Sequence, residues 1–449
     1  MKKGDMITLH INKTVFPGRG QGEVKGQDLE AQGAFPGEVV EGIFTRRKKG
    51  VGLLKRVRVV EEADYNQTPV CEHFRKCGGC LSLHVPLDKQ REFKEREVLD
   101  LFRKRNISYE VYKGMDGIDR AYHYRNKMEF TFGDPYKDGP LHLGLHERGM
   151  GKNIIETSDC HLISNDMNKV RDAVADYYRE KGYSYYHIMK REGYLRNLIM
   201  RQSYTNGDIL LAMVTTSEIE EDFTPLIEAI KGLKLEGELK SFWHIVNDTP
   251  SDAVYATDMH HIYGDETITE EMLGLTFHIS PLSFFQTNTE AARLLYSKVL
   301  DLVEPSDSYL DLYSGTGTLT QMVSKKAKKV TGVEILSDAV EDAKKSAKEN
   351  GITNADFICS DVKDTLEHLD FDVSGIIVDP PRSGIHPKVV QALKDSGVET
   401  IIYVSCNPKT MAMELKELQE NYIIKSLELI DMYPNTAHVE TVVLMSRKG

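Results

Sequence analysis

Residues 311–320, DLYSGTGTLT, decide how the chain is read. An apolar run, SYLDL, ends at once in the closely spaced Gly315 and Gly317, and a helix-forming stretch, TLTQMVSKKA, follows. Glycines at such a junction let the backbone turn tightly beneath a ligand. Nineteen residues after Gly315 a second apolar run, KKVTGVEI, reaches Glu334, an acid placed to accept hydrogen bonds from both hydroxyls of a ribose. Loop and acid at this spacing indicate a nucleoside.

The same alternation runs outward through the last 175 residues: SDAVEDAKKSAKEN, ADFICSDV, SGIIVDPP, HPKVVQALKD, ETIIYVSC, MAMELKELQE and a closing pair, IIKSLELIDM and HVETVVLM. Repeated βα units with near-continuous apolar strands predict an α/β fold, a mostly parallel sheet covered on both faces. Ligands in such a sheet sit at the carboxyl ends of the strands. A dinucleotide site asks for a third glycine where this chain has Thr320, so support for a pyrophosphate is missing. Asp361, at the next strand end, is suited to accept from an adenine amino group. S-adenosylmethionine therefore fits better than a nicotinamide cofactor.

The fourth strand ends in DPPRSG, 379–384. Methyltransferases acting on exocyclic amines carry an aromatic residue after the two prolines, and Arg382 in that place argues against amino-group methylation. Asp379 reads as an acid pointing into the site, with a strand-end cap as the plainer alternative. The fifth strand ends in YVSCNPKT, 403–410. A lone cysteine is more often a small buried hydrophobe than a reagent. Beside a methyl donor, however, the thiol of Cys406 has a use, because pyrimidine C5 is too weak a nucleophile to take a methyl group unaided. Thiolate addition to C6 makes C5 an enolate carbon, and covalent catalysis divides one hard step into easier ones. The C5 proton must then be removed, and Glu440, at the start of the closing strand, is the candidate base. Pro408 reads as the residue that stops the strand and aims the thiol.

At 449 residues the chain exceeds what one hydrophobic core organises, and 40% apolar with 28% charged residues describes an ordinary soluble protein. The start, MKKGDMITLHINK, has no apolar stretch long enough for a signal peptide, so a cytosolic location and no membrane are expected. A net charge of -12 argues against a whole-protein grip on nucleic acid and leaves local patches. One such patch is RRKKGVGLLKRVR, 46–58, with seven basic side chains. It closes a segment of short strand-like runs, MITLHINK, GQGEVKG and PGEVVEGIFTRR, that reads as a small β-barrel. The patch is either a phosphate-tracking face or a solvated edge strand.

Six cysteines in a reduced compartment point to metal binding or catalysis rather than disulfides. Cys71, Cys77 and Cys80 form a C-x5-C-x2-C array with adjacent glycines, and Cys160 is the distant fourth. Four thiolates suit a tetrahedral zinc or an iron-sulfur cluster, and spacing does not choose between them. The spacing differs from the C-x3-C-x2-C of radical enzymes, which favours a closed, structural centre. Between about 120 and 270, Arg125, Lys127, Arg196 and Arg201 interleave with Tyr124, Phe130, Phe132 and Tyr194. That pattern fits an RNA-facing sheet, but an ordinary amphipathic sheet is the preferred reading.

Taken together, SCNP with HVETV, FFQTN (284–288), DLYSGTG, DPPR and the cysteine array resemble the bacterial RNA uracil-C5 methyltransferases that modify ribosomal and transfer RNA. The resemblance spans essentially the whole chain. It implies a C-terminal class I, Rossmann-like methyltransferase domain (273–449), an N-terminal OB-like TRAM barrel that binds RNA (1–62) and a central α+β domain (63–272). In that central domain Cys71, Cys77, Cys80 and Cys160 hold a [4Fe-4S] cluster. It further implies Cys406 as nucleophile, Glu440 as base, and S-adenosylmethionine contacts from Gln286, Tyr313, Thr318, Glu334, Asp361 and Asp379. Cys359 matches no functional position and reads as core. Transfer RNA members generally lack the array and the barrel, so the resemblance favours 23S ribosomal RNA as substrate, with a monomer as the expected state. Transfer RNA uridine, a cytosine-C5 activity and a non-catalytic RNA-binding protein are the alternatives. The target base must leave its stack, because C5 and C6 are out of reach inside a helix.

Overall fold

A computed structural model of the chain describes residues 1–251, 253–305, 308–368 and 373–449. These fold as two compact units, one of residues 1–68, 81–119 and 294–449, the other of 69–80 and 120–293.

The first unit contains two sheets. Its N-terminal sheet has six strands, in the order Met6–His10, Val39–Lys48, Val51–Glu61, Gln27–Gln32, Arg19–Val24 and Lys13–Val15. It curls into a barrel-like form around Leu9, Leu29, Val40, Phe44 and Leu54. Gly22 lies so close to the His10 carbonyl that a Cβ there would come to 1.9 Å, which is why only glycine fits. Arg46, Arg47, Lys48 and Lys49 are exposed at the tip of the hairpin formed by the two longest strands. Val39–Lys48 has a second partner strand over residues 39–43 and Val51–Glu61 over residues 52–54, so residues 46–49 of the basic stretch form a hairpin tip while 55–58 lie on a strand paired there on one side.

The second sheet of this unit has eight strands. Numbering its strands from the glycine loop onward, the order is third (Ala355–Cys359), second (Lys329–Glu334), first (Ser308–Leu312), fourth (Gly375–Val378), fifth (Thr400–Ser405), seventh (Glu440–Arg447) and sixth (Tyr422–Asp431). The first five run parallel, in keeping with the mostly parallel sheet expected from the βα alternation, and the seventh is antiparallel to both neighbours. Apolar residues on both faces make the core of the unit, among them Leu310, Val378, Ile401, Tyr403 and Leu427. The eighth strand, Tyr109–Gly117, comes from the stretch read as central and pairs parallel to Tyr422–Asp431. Helix Leu87–Lys104 delivers it, burying Phe93, Val98 and Phe102.

The other unit is built on a seven-stranded sheet whose two middle strands, Leu195–Gln202 and Ile209–Thr215, are buried on both faces. This excludes the RNA-facing alternative for Arg196 and Arg201, and it departs from the amphipathic-sheet reading too, since both faces of these strands are covered. Both guanidiniums are buried, Arg196 donating to the carbonyls of Asn247 (2.6 Å), Thr249 (2.7 Å) and Ser251, and Arg201 to those of Pro281 (3.1 Å) and Ser283. A charge-assisted bond contributes about 1.5–3 kcal/mol, so swinging either side chain outward forfeits more than a surface phosphate contact returns. Tyr124, Phe130, Phe132 and Tyr194 are likewise core residues. No helix among the described residues is long and apolar enough to cross a membrane.

Candidate active site

At the glycine loop the chain leaves the Ser308–Leu312 strand with Tyr313, Gly315 and Gly317 all in the left-handed region (φ 65°, 53° and 74°). A side chain at Gly317 would strike the Phe357 ring at 2.5 Å, so the third position of this turn requires glycine twice over. Glu334 closes the loop from the next strand: its carboxylate accepts from the N–H groups of Gly315 (3.1 Å), Ile335 (2.9 Å) and Leu336 (3.0 Å). Asp361 caps the helix Val362–Glu367 through the N–H of Lys363 (2.8 Å). Tyr313, Glu334 and Asp361 together line a cavity of about 450 Å³, with Pro381, Ser383 and Gly384 on its far wall. A larger groove of about 820 Å³ lies against the edge strand Ala355–Cys359 and is lined by none of the strand-end acids. The smaller cavity sits where a parallel sheet binds ligands.

Thr318 is the first residue of the helix Thr318–Ser324, and Thr320 donates to the buried Asp311 at 2.5 Å. Gln286 is carried by the other unit, on the loop that Arg201 and Asn126 anchor through the carbonyls of Pro281, Ser283 and Thr287. Cys359, read as core, is exposed: it ends the edge strand of its sheet, where no further strand covers it.

The reactive groups come together at the junction of the fourth, fifth and seventh strands. Ser405 pairs with Thr441 in the antiparallel ladder, so the next step along that register sets Cys406 opposite Glu440. Asn407 follows as the cap of the helix Pro408–Leu418, with Pro408 at its first turn; the proline starts the helix rather than merely ending the strand. Burial pushes the Cys406 thiol up to about 11, with the charges of Glu440 and Asp379 adding to the rise and Arg382 opposing it by charge and by a hydrogen bond. Burial likewise pushes Glu440 to about 8, Asp379 raising it further and Arg382 lowering it. Asp379 is itself raised to about 7 by burial. Cys406, Glu440 and Asp379 thus act on one another, with the exposed Arg382 at their rim, and three perturbed values of this size mark a candidate functional site.

Arg382 is the residue whose part the sequence left unread. Only its failure to be aromatic was legible; its influence on the Cys406 thiol depends on the turn that brings 382 near 406, held by the Asn407 side chain donating to the Arg382 carbonyl (2.9 Å).

All four cysteines of the array and its distant partner belong to the second unit. Gly79 N–H donates to the Cys77 sulfur (3.3 Å), and Asn168 brackets Cys160 through its N–H (2.9 Å) and carbonyl (3.1 Å). Burial raises all four thiols, and each is raised further by at least one of the others acting as a charged neighbour, except that Cys71 feels Asp159 and Glu72 instead. They are therefore gathered, although among the described residues no group of three or more His, Cys, Asp or Glu side chains is drawn in far enough to ligate one metal ion.

A sheet of this order, with a glycine loop after its first strand and acids after the next three, defines an S-adenosylmethionine-dependent methyltransferase. Residues 87–448 match the family described as tRNA (Uracil-5-)-methyltransferase, and the chain belongs to that family, an RNA uracil-C5 methyltransferase. An uncharacterized RNA methyltransferase from Clostridium tetani is 41% identical across 100% of this chain and 99% of its own. Another from Bacteroides thetaiotaomicron is 35% identical over 91% and 94% of the two chains. The crystal structure of Pyrococcus abyssi tRNA (uracil-54, C5)-methyltransferase in complex with S-adenosyl-L-homocysteine superposes with a TM-score of 0.77 at 27% identity, covering 97% of this chain and 100% of that one.

Proposed function

We propose that the protein methylates C5 of a specific uridine in 23S ribosomal RNA, with Cys406 as nucleophile and Glu440 as base. The observation that carries this reading is the placement of a thiol opposite a buried carboxylate, with one guanidinium between the two electrostatically. The resting thiol, near 11 even with Arg382 beside it, is ionised only about one part in ten thousand at neutral pH. Arg382 keeps it from rising further, and the positive sulfur of a bound methyl donor would lower it more. S-adenosylmethionine would supply an electrophilic methyl on a positively charged sulfur, held by Glu334 at the ribose, Asp361 at the adenine, and Tyr313, Thr318, Asp379 and Gln286 around it. The Cys406 thiolate forms a bond to C6, and the displaced π electrons make C5 the nucleophile that takes the methyl group. Glu440 then accepts the C5 proton, the electrons left behind restore the C5–C6 double bond, and the thiolate departs.

Cys71, Cys77, Cys80 and Cys160 would hold a [4Fe-4S] cluster. What supports the reading is that the four thiols are close enough to act on one another by charge and that four thiolates are the donor set of such a cluster. With all four corners taken, its part is structural. The division into an RNA-binding barrel (1–62), a cluster and RNA-binding region (63–272) and a catalytic domain (273–449), acting as a cytoplasmic monomer, belongs to the same proposal. The exposed Arg46–Lys49 hairpin tip supports the first assignment.

Transfer RNA is the second reading. The Pyrococcus abyssi transfer RNA enzyme covers 97% of this chain, so overall extent does not separate the two substrates. Incubation with labelled methyl donor and unmodified 23S ribosomal RNA or transfer RNA, followed by mapping of the labelled nucleotide, tests the choice. Label confined to one or two 23S uridines is the expected result; label in transfer RNA alone replaces the substrate.

Glu334→Ala should weaken S-adenosylmethionine binding by at least about 100-fold, the cost of two hydrogen bonds to a charged acceptor. Isothermal calorimetry checks this, and unchanged affinity would take Glu334 out of the ribose site.

A further inference from the structure

Glu414 lies on the helix that follows the nucleophile, is 8% exposed, and has no place in the chemistry above. One carboxylate oxygen accepts from the N–H of Ile385 (2.8 Å) and the other from the hydroxyl of the fully buried Tyr403. Ile385 immediately follows the turn that carries Arg382, closed by Gly384 N–H donating to the Pro381 carbonyl (2.8 Å). Gly384 has φ 82°, and a Cβ there would meet the Glu414 carboxylate at 2.2 Å. The turn is thus shaped around the carboxylate. Tyr403 lies three residues before Cys406 on the strand that ends in the thiol. Glu414 therefore ties together the two segments whose relative placement sets Arg382 on Cys406. A buried carboxylate is costly unless its lone pairs are filled, so both bonds resist loosening.

We propose that Glu414 is a positioning residue that fixes the Arg382 turn against the Cys406 strand and so sets the reactivity of the nucleophile. This rests on the assignment of Cys406 and Arg382 above. The groups facing the thiol are Arg382 and Asp379 from the turn and Glu440 from the seventh strand. Of these Arg382 alone favours the thiolate, so loosening the turn weakens the one favourable contact.

The test is the rate of iodoacetamide labelling of Cys406 as a function of pH, read on the Cys406 peptide by mass spectrometry without RNA or methyl donor. Glu414→Leu should slow labelling at least about threefold at every pH below the midpoint, corresponding to a rise of half a pH unit. Glu414→Gln keeps an acceptor for Ile385 and should stay within about twofold of wild type. Arg382→Ala should slow labelling as Glu414→Leu does, and the double variant should be no slower than Arg382→Ala alone. Tyr403→Phe removes only one arm and should shift the profile in the same direction; it carries the test if Glu414→Leu does not fold. A wild-type profile in Glu414→Leu or Tyr403→Phe, full additivity with Arg382→Ala, or equal damage from Gln and Leu would overturn the proposal. Turnover by Cys406→Ala would instead overturn the assignment of the nucleophile, leaving the labelling result to stand by itself.

Discussion

Cys406→Ala should lose methyl transfer by at least about 10⁴-fold while binding S-adenosylmethionine within about threefold of wild type. The asymmetry follows from where the groups lie. The cavity proposed for the cofactor is lined by Tyr313, Glu334, Asp361, Pro381, Ser383 and Gly384, and Cys406, just after the fifth strand, is not among its lining residues. Removing one sulfur leaves the cavity wall intact but takes away the group proposed to raise the nucleophilicity of C5. Single-turnover assays with labelled donor, alongside calorimetry, separate the two quantities. Retained turnover would remove Cys406 as nucleophile.

The second large effect concerns release. Glu440→Gln should carry the reaction through methyl transfer and then stop, because an amide cannot accept the C5 proton. Denaturing gels should show protein attached to methylated RNA, in stoichiometric amount, where wild type shows only a trace. Its pH dependence follows from burial. Glu440 acts as a base only when ionised, so release by wild type should quicken as pH rises through about 8. Stability should move the opposite way. The folded carboxyl holds its proton to about 8 against an ordinary 4.5, so the group contributes most below 4.5 and that contribution is lost as pH climbs through 8. Glu440→Gln should therefore melt above wild type at pH 8.5, by a few degrees, and match it near pH 4. Equal midpoints at both would contradict the buried, proton-retaining carboxyl.

Much of the catalytic sheet was legible because each strand is an unbroken apolar run and each of its key ends is an acid, a glycine turn or Cys406. Those signals are local, and each of the runs forms a strand of the sheet, although the order in which the strands lie side by side was not legible. What the sequence did not reveal depends on contacts between distant segments. Tyr109–Gly117 joins the sheet by pairing parallel with Tyr422–Asp431, more than 300 residues away, and parallel pairing leaves no turn to read. Arg196 and Arg201 alternate with aromatics as RNA-facing arginines would; only the carbonyls they meet show that they are internal braces. Cys359 looks like core because its strand is apolar, and it is exposed because that strand is the edge. Arg382 and Glu414 act through a turn whose shape depends on Gly384, a residue with no sequence signal beyond the proline pair before it.

The most direct measurement uses an RNA fragment carrying 5-fluorouridine at the mapped site. Fluorine at C5 leaves no proton for Glu440 to take, so wild-type protein with S-adenosylmethionine should stop as a covalent complex. After protease and nuclease digestion, mass spectrometry should find a methylated fluorouridine nucleotide on the peptide that contains Cys406. A methylated product with no protein attached, or an adduct on any other residue, would contradict the mechanism.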